Sequence, residues 1–274
     1  MNNKLFVVNK PLFISSNQYL SKIKRRYKVK KAGFSGTLDP FAKGCFIVAF
    51  GQYTKLFQYL KKTPKRYKAT LFLGAYSETL DIEKISKVEI PPKFSFDEVT
   101  KVVNSFKGKI TQIPPKYSAK KINGIRAYDL ARNGENVDIK KIEVEIYNIK
   151  ITNYSHPFLS FEAEVSEGTY IRSLARDIAE KLGVEGSLTY LERLNEGKFI
   201  YDNEKELNPL EYLDLEKNKY LGDKQNLLLG RKLNKNDFKI TKKGKYVVEF
   251  DNYFAIIEID ENVKYLLNKV ELCL

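Results

Sequence analysis

The chain has no tryptophan, one histidine, one methionine and two cysteines among its 274 residues. A single histidine, His156, argues against a histidine-based catalytic triad and against a metal site with several histidine ligands. Cys45 and Cys273 are far apart and show neither a disulfide framework nor the spacing of zinc ligands. Walker loops and GxGxxG, CxxC and HExxH motifs are also missing. We therefore expect chemistry that runs without a nucleotide or a metal, unless a partner supplies either.

Long hydrophobic runs are also absent. No apolar segment approaches the roughly 18 residues that span a bilayer, and the N-terminal residues lack the apolar stretch of a secretory signal. Hydrophobic residues nevertheless make up 43% of the chain, enough to build a sizeable core. We expect a soluble, cytoplasmic protein that does not bind a membrane.

Acidic residues are fewer than basic ones: the chain has 34 acidic residues and 48 lysines and arginines, which gives a net charge of +14. The excess is uneven, because residues 208–274 carry a net charge of +1 and residues 1–207 carry +13. Such a concentration of positive charge favours a polyanionic partner. A lysine-rich organism whose proteins are all basic would give the same total, and composition alone leaves that alternative open.

Helical and strand patterns mix along residues 1–207 without the regular strand–helix–strand rhythm of a parallel sheet. Apolar spacing and capping residues predict the helices, and alternating or continuous apolar runs predict the strands. The predicted helices are 16–27, 54–60, 96–107, 127–132 and 170–182, and the predicted strands are 5–8, 45–50, 67–73, 141–152, 158–165 and 188–194. This mixture predicts an α+β fold.

The pattern changes at about Asn208. A short helical stretch at 209–214 precedes brief predicted strands at 227–229, 246–250, 254–259 and 265–270. These short strands and the near-neutral charge predict a small β domain appended to the basic region.

One carboxylate, Asp39, lies in a loop punctuated by glycines and followed directly by Pro40. Glycine permits positive φ and a close approach of the backbone to a ligand, and proline favours an extended conformation for the residue before it. An ordinary Asp-Pro turn would explain the Leu38-Asp39-Pro40 triplet alone. Because the whole segment from Lys31 to Gly44 is constrained, we interpret Asp39 as a nucleophile or base.

Arg172 falls in the first turn of a predicted helix, where a cation opposes the helix dipole by roughly 0.3–1 kcal/mol. It therefore needs a partner, and a buried carboxylate would serve. A solvent-exposed arginine paired with Glu167 is the competing interpretation. We favour the first because Asp39 also lacks an obvious partner in the sequence.

Two segments mix cations with aromatic residues, as expected of contacts to phosphates and stacked bases. They are Lys65–Lys68, which contains Tyr67, and Lys116–Gly134. A lone tyrosine in a strand is more often a core residue, and a basic loop is often simply solvated.

Taken in order, these segments resemble the TruB family, the bacterial tRNA pseudouridine-55 synthases. The similarity covers most of residues 1–200. Its segments are Lys10-Pro11 with Ile14-Ser15-Ser16, the Gly-x-x-Gly-Thr-Leu-Asp-Pro loop, Lys65-Arg66-Tyr67, Gln112–Ala119, Gly168–Arg172 and Tyr190–Leu194. No single segment is specific, but their order is.

The resemblance implies a pseudouridine synthase fold, with a mixed, mainly antiparallel central sheet in a catalytic domain over residues 1–207. It further implies an RNA-clamping insertion at about 110–140 and a small PUA-like β domain over residues 208–274. The implied reaction converts uridine 55 in the tRNA T loop to pseudouridine without a cofactor. The implied partner is the T stem-loop of tRNA, flipped at the target base, and we expect a monomer without an obligate protein partner.

Site residues also follow from the resemblance. Asp39 matches the catalytic aspartate, Tyr67 the tyrosine that packs on the flipped base and helps to remove the C5 proton, and Arg172 the arginine that pairs with the aspartate. Further substrate-binding residues implied in this way are Lys10, Phe34, Tyr170 and Leu191. The family usually has histidine where this chain has Phe34, which can stack but cannot form a hydrogen bond. The segment from Gly74 to Asp81 also lacks the glycine that usually follows the acid.

Two other function classes remain open from the sequence. A structured-RNA binding protein or chaperone could keep the fold without catalysis, although Asp39, Tyr67 and Arg172 are all present. An unrelated carboxylate hydrolase could use Asp39 and Asp81, but it would leave the positive charge of residues 1–207 unexplained.

Overall fold

The computed structural model describes residues 3–118, 121–122, 125–126 and 139–273, with the backbone alone at 121–122 and 125–126. Its strands up to residue 126 are β1 (Lys4–Lys10), β2 (Ala32–Ser35), β3 (Lys43–Phe50), β4 (Lys65–Leu73), β5 (Ala75–Ser77), β6 (Ile85–Val88), β7 (Gly108–Gln112), β8 (Lys121–Ile122) and β9 (Ile125–Arg126). The later strands are β10 (Ile142–Ser155), β11 (Phe158–Val165), β12 (Gly186–Glu196), β13 (Phe199–Ile200), β14 (Glu216–Lys217), β15 (Gly244–Phe250), β16 (Tyr253–Ile259) and β17 (Val263–Glu271).

The α-helices are α1 (Ser16–Arg26), α2 (Phe96–Asn104), α3 (Ile171–Lys181) and α4 (Lys224–Leu229), with 3-10 turns at Gly51–Leu56, Ile82–Lys84, Pro209–Glu211 and Lys235–Asp237. Ser15 and Ser95 close capping boxes on α1 and α2. The predicted helix at 127–132 and most of the predicted insertion lie outside the described residues. Within the described part of the chain, no helix is long and apolar enough to cross a membrane.

A nine-stranded sheet organises the first part of the chain, in the order β1-β3-β12-β4-β11-β10-β7, with β2 beside β3 and β13 beside β12. Its pairs are antiparallel except for β3 and β12, which run parallel. The α+β prediction with a mixed, mainly antiparallel central sheet is therefore confirmed. The parallel pair places the start of β3 beside Glu192 and Arg193 of β12.

Side chains of β1 and β3 alternate between two hydrophobic clusters. Phe6 and Val8 enter the core that α1, α2 and α3 cover, whereas Leu5 and Val7 pack in a second cluster with Phe254 and Ile256 of the C-terminal sheet. Both faces of these strands are buried, which explains why they appear in the sequence as continuous apolar runs.

The C-terminal sheet has the order β14-β15-β16-β17. One prediction here is wrong: residues 227–229 belong to α4, not to a strand. Asp223 accepts a hydrogen bond from the Gln225 amide at the start of α4, and Gly230 ends it in the left-handed conformation at φ 65°. The sequence pattern is ambiguous here, because an apolar run of three leucines is too short to show a helical periodicity.

Candidate active site

Asp39 lies in the turn between β2 and β3, and hydrogen bonds fix the backbone on both sides of it. The Ser16 hydroxyl donates to the Leu38 carbonyl at 2.9 Å and accepts from the Leu38 amide at 3.0 Å. On the other side, Lys10 Nζ donates to the Pro40 carbonyl at 3.3 Å. The segment from Lys10 to Ser16 thus holds Asp39 in place, while the Asp39 side chain stays 32% exposed.

Lys10 lies beneath this loop with no exposed surface. Its ammonium donates to three carbonyls, those of Pro11 at 2.9 Å, Ile14 at 2.7 Å and Pro40 at 3.3 Å. Burial lowers the pKa of Lys10 to about 8, although nearby Asp39 acts in the opposite direction. The sequence comparison placed Lys10 among substrate-binding residues, whereas the structure gives it a supporting position under the loop.

Lys10 should make stability depend on pH in a specific window. Between about pH 8 and 10.5 the unfolded chain keeps a proton that the folded protein has released, so rising pH favours the folded state through this residue. We expect the free energy of unfolding of the wild type, relative to Lys10→Met, to rise by about 1.5 kcal/mol between pH 8 and 9.5. Urea unfolding at both values measures this difference, and a difference independent of pH would contradict the burial of a titrating lysine.

Arg172 makes a bidentate contact with the Asp39 carboxylate. Its Nε lies 2.9 Å from Asp39 Oδ2 and its Nη2 lies 3.1 Å from Asp39 Oδ1. Arg172 is buried in the first turn of α3. The predicted partnership is present in the structure, and Glu167 instead lies near Lys62 and Lys65.

All three nitrogens of the Arg172 guanidinium contact acceptor oxygens. Besides Asp39, Nη1 donates to the Thr79 carbonyl at 2.7 Å and to Asp81 Oδ2 at 3.3 Å, and Nη2 donates to the Tyr117 carbonyl at 2.8 Å. A guanidinium held at all three nitrogens has one orientation, so Arg172 fixes the plane of the Asp39 carboxylate.

Asp81 is the second carboxylate of the site, and its side chain is only 3% exposed. Its Oδ1 accepts hydrogen bonds from the Thr79 hydroxyl at 2.6 Å and the Glu83 amide at 3.0 Å. Burial raises the pKa of Asp81, while these hydrogen bonds and Arg172 oppose the effect. One arginine therefore serves two carboxylates, of which Asp39 alone has an exposed face.

A cavity of about 330 Å³ opens over Asp39, a size typical of small-molecule sites. Tyr67, Tyr170 and Leu191 line it together with Asp39 and Arg172, so the structure gathers most of the expected site residues. Tyr67 comes from β4, Leu191 from β12 and Tyr170 from the residue before α3. Burial raises the pKa of Tyr170 and makes its hydroxyl a neutral donor or acceptor.

Phe34 does not line this cavity. It borders a second cavity of about 430 Å³ that also touches Asp39, together with Ser15, Asn17 and Tyr117. Its ring stacks on Phe46 with centroids 4.8 Å apart. Asp39 and Arg172 border both cavities, so the carboxylate sits where the two meet.

Sequence reasoning missed a buried ion network at the wall of the site, where Lys65 and Arg193 line the cavity. Arg193 Nη2 contacts Glu196 Oε1 at 3.0 Å, and Lys65 Nζ contacts Glu196 Oε2 at 3.2 Å. Arg193 also donates to the carbonyls of Cys45 and Gly36 at 2.9 and 3.0 Å. It thereby ties the strand after the Asp39 loop to the loop itself. The signals in the sequence were the arginine of the matched Tyr190–Leu194 segment and the lysine of the matched Lys65-Arg66-Tyr67 segment.

Gly44 shows how closely the chain packs there. Its φ is +112°, and a Cβ at this position would meet the Arg193 carbonyl at 2.3 Å. Any side chain would push β3 away from β12 and move the Asp39 loop with it. Among the described residues, no cluster of three or more histidine, cysteine, aspartate or glutamate side chains could hold a metal ion.

Comparison with known proteins gives one consistent result. A family model described as TruB family pseudouridylate synthase (N terminal domain) matches residues 24–171. The tRNA pseudouridine synthase B of a Sulfurovum species is 55% identical over 98% of this chain and 97% of its own. The protein of that name from Campylobacter jejuni subsp. jejuni is 51% identical over 99% of this chain and 100% of its own.

A solved structure extends the comparison to the fold. The archaeal box H/ACA sRNP Nop10-Cbf5 complex contains a chain with a TM-score of 0.65 and 20% identity, over 97% of this chain and 85% of that chain. This likeness covers the central sheet as well as the C-terminal strands, and at this level of identity it concerns the fold alone.

Proposed function

Because this chain belongs to the TruB family of pseudouridylate synthases, we propose that it isomerises uridine 55 in the T loop of tRNA, with Asp39 as the nucleophile. The chain is a pseudouridine synthase, an isomerase. The observation that carries the proposal is the Arg172 fork, which holds the carboxylate of Asp39 against a cavity large enough for one base.

In the proposed reaction, an Asp39 oxygen bonds to C1′ of the target ribose as the C1′–N1 bond breaks. The detached uracil turns within the cavity, C5 bonds to C1′, and the Asp39–C1′ bond breaks. The C5 proton leaves and N1 regains a proton, so no atom is gained or lost. A fixed nucleophile suits both substitutions, because the carboxylate attacks and leaves along one direction.

Tyr67, Tyr170 and Leu191 are proposed to hold the base while it turns. Their side chains form a partly apolar wall around Asp39, so a detached uracil is confined without being locked in one orientation. The Tyr67 hydroxyl is proposed to assist removal of the C5 proton. Every one of these groups comes from a single chain, which supports action as a monomer.

The proposed substrate is a tRNA whose target uridine flips out of its stack, at a cost of a few kcal/mol. Cations near the site can offset part of that cost through phosphate contacts. Lys43 follows the Asp39 loop at the start of β3, Lys65 lines the cavity, and the end of α1 carries Lys24, Arg25 and Arg26. We further propose that residues 1–207 form the catalytic unit and residues 208–274 an appended PUA-like domain.

Two tRNA transcripts test the assignment, one with uridine and one with cytidine at position 55. After incubation with the wild-type protein, we expect nucleoside mapping to find one pseudouridine, at position 55, in the first transcript and none in the second. Pseudouridine at other positions of the second transcript would contradict the site assignment, and its absence from both would contradict the proposed substrate.

A further inference from the structure

Phe13 stands out as a bulky residue in a strained backbone conformation. Its φ is +59°, in the left-handed region that favours glycine, and a large side chain there is an outlier in need of a reason. Its side chain is also 67% exposed, the largest exposure among the described large hydrophobic residues. Neither packing nor local geometry favours phenylalanine at this position.

The neighbouring hydrogen bonds explain why this ring points outward. Lys10 draws the carbonyls of Pro11 and Ile14 inward onto its ammonium. The two residues between them are thereby turned towards solvent, and Leu12 is 36% exposed beside Phe13. The loop presents an aromatic ring on a backbone held from below.

The segment from Lys10 to Ser16, which carries the Phe13 ring, lies against the loop that holds Asp39. The same segment anchors both neighbours of Asp39, with Lys10 on Pro40 and Ser16 on Leu38. Phe13 therefore belongs to a segment that is bound to the Asp39 loop on both sides of the carboxylate. Ser15 and Asn17, just beyond it, line the second cavity with Phe34.

We propose that Phe13 binds tRNA by stacking on an unpaired base of the T arm near the target nucleotide; this inference rests on the proposed function. Single-stranded RNA is recognised largely by bases stacked on aromatic side chains. A base near the flipped uridine has lost a stacking neighbour, and the Phe13 ring replaces part of that contact. The strain at residue 13 is retained because it fixes the ring before the RNA arrives.

The test measures tRNA affinity in an Asp39→Asn background, so that binding is read without turnover. Phe13→Gly removes the ring and suits the backbone, and Phe13→Tyr keeps a ring. We expect Phe13→Gly to raise the dissociation constant for a tRNA transcript by about 5- to 100-fold and Phe13→Tyr to change it less than about threefold.

The melting temperature and the salt dependence of tRNA affinity distinguish a loss of stacking from a loss of fold or of phosphate contacts. Glycine relieves the backbone at residue 13, so the melting temperature of Phe13→Gly should not fall. The slope of log affinity against log salt should stay that of the parent, because no phosphate contact is lost. A reduced slope would assign the effect to displaced cations and overturn the proposal.

Phe96 supplies the matched control. It is 57% exposed and follows Phe94, whose ring lies against His156. The residue after that histidine, Pro157, accepts a hydrogen bond from the Leu73 amide at the end of β4. Leu73 lies about 20 Å along the strand from Tyr67, so the surroundings of Phe96 are remote from the cavity. Phe96→Ala should leave tRNA affinity unchanged.

Equal affinity of Phe13→Gly and its parent would overturn the inference, provided that the wild type forms pseudouridine at position 55. A wild type that forms none would instead contradict the proposed function. The two failures are therefore distinguished by one activity measurement on the unmodified chain.

Discussion

Asp39→Asn is expected to lower the rate of pseudouridine formation by at least about 10⁴-fold. Asparagine keeps the size of the side chain, but its neutral amide is a very poor nucleophile. It also replaces one acceptor of the Arg172 fork with an amide that cannot accept from a guanidinium. Single-turnover assays with enzyme in excess over tRNA measure the chemical step directly.

Binding provides the control for Asp39→Asn. The cations proposed to contact phosphates are untouched, so tRNA affinity should remain within about threefold of the wild type. Retention of even about a tenth of the wild-type rate would contradict the nucleophile assignment. Loss of both binding and activity would indicate a disturbed loop rather than a missing nucleophile.

Arg172 substitutions should separate the charge of this side chain from its geometry. Lysine keeps one positive charge, but its single nitrogen cannot reach the acceptors that the three guanidinium nitrogens contact. We expect Arg172→Lys to lower kcat by about 10²- to 10³-fold, because the Asp39 carboxylate loses its fixed plane. Steady-state kinetics with the tRNA transcript measure the effect.

Arg172→Gln should be the more damaging change, because Asp39 and Asp81 then lose the guanidinium that pairs with both of them. Removing one member of a buried ion pair costs about 3–5 kcal/mol of stability, which urea unfolding can measure. Adding Asp81→Asn removes one of the two charges and should restore part of the stability without restoring activity. Recovery of activity in the double variant would show that Arg172 acts through Asp81 rather than through Asp39.

Arg176 is the matched control on the same helix. It is paired with Asp177 at 2.7 Å and with Glu180 at 3.6 Å, on a partly exposed face of α3. Arg176→Gln should change kcat less than about threefold. An effect as large as that of Arg172→Lys would mean that α3 responds to any lost charge.

Local signals predicted the elements that hold the site. The longer strands and helices of residues 1–200 were recognisable because caps such as Ser15 and Ser95 and apolar periods act within one element. The short strands β2, β5, β6 and β7 were not predicted, because three to five residues carry too little pattern. The error at residues 227–229 has the opposite cause. A run of three leucines is too short to show a helical or a strand periodicity. The hydrogen bonds that favour a helix here involve Asp223 and Gly230, which lie outside the run.

The candidate site was predictable where one segment carries the chemistry. Asp39 and Arg172 could be paired because each is a charged residue in a place that needs a partner. The roles of Asp81, Arg193 and Glu196 in the site could not be deduced from the sequence. Their contacts join β4, β12 and the loops only after the sheet has formed. Lys10 was recognised by resemblance, but only its burial shows that it supports the loop from beneath.

Tritium release from tRNA labelled with [5-³H]uridine tests the central claim most directly, because the proposed reaction removes the hydrogen from C5 of one uridine. The assay compares the wild type with Asp39→Asn on transcripts that carry uridine or cytidine at position 55. We predict release of one tritium per tRNA by the wild type, from the uridine-55 transcript alone. Release by Asp39→Asn at the wild-type rate, or equal release from the cytidine-55 transcript, would contradict the account.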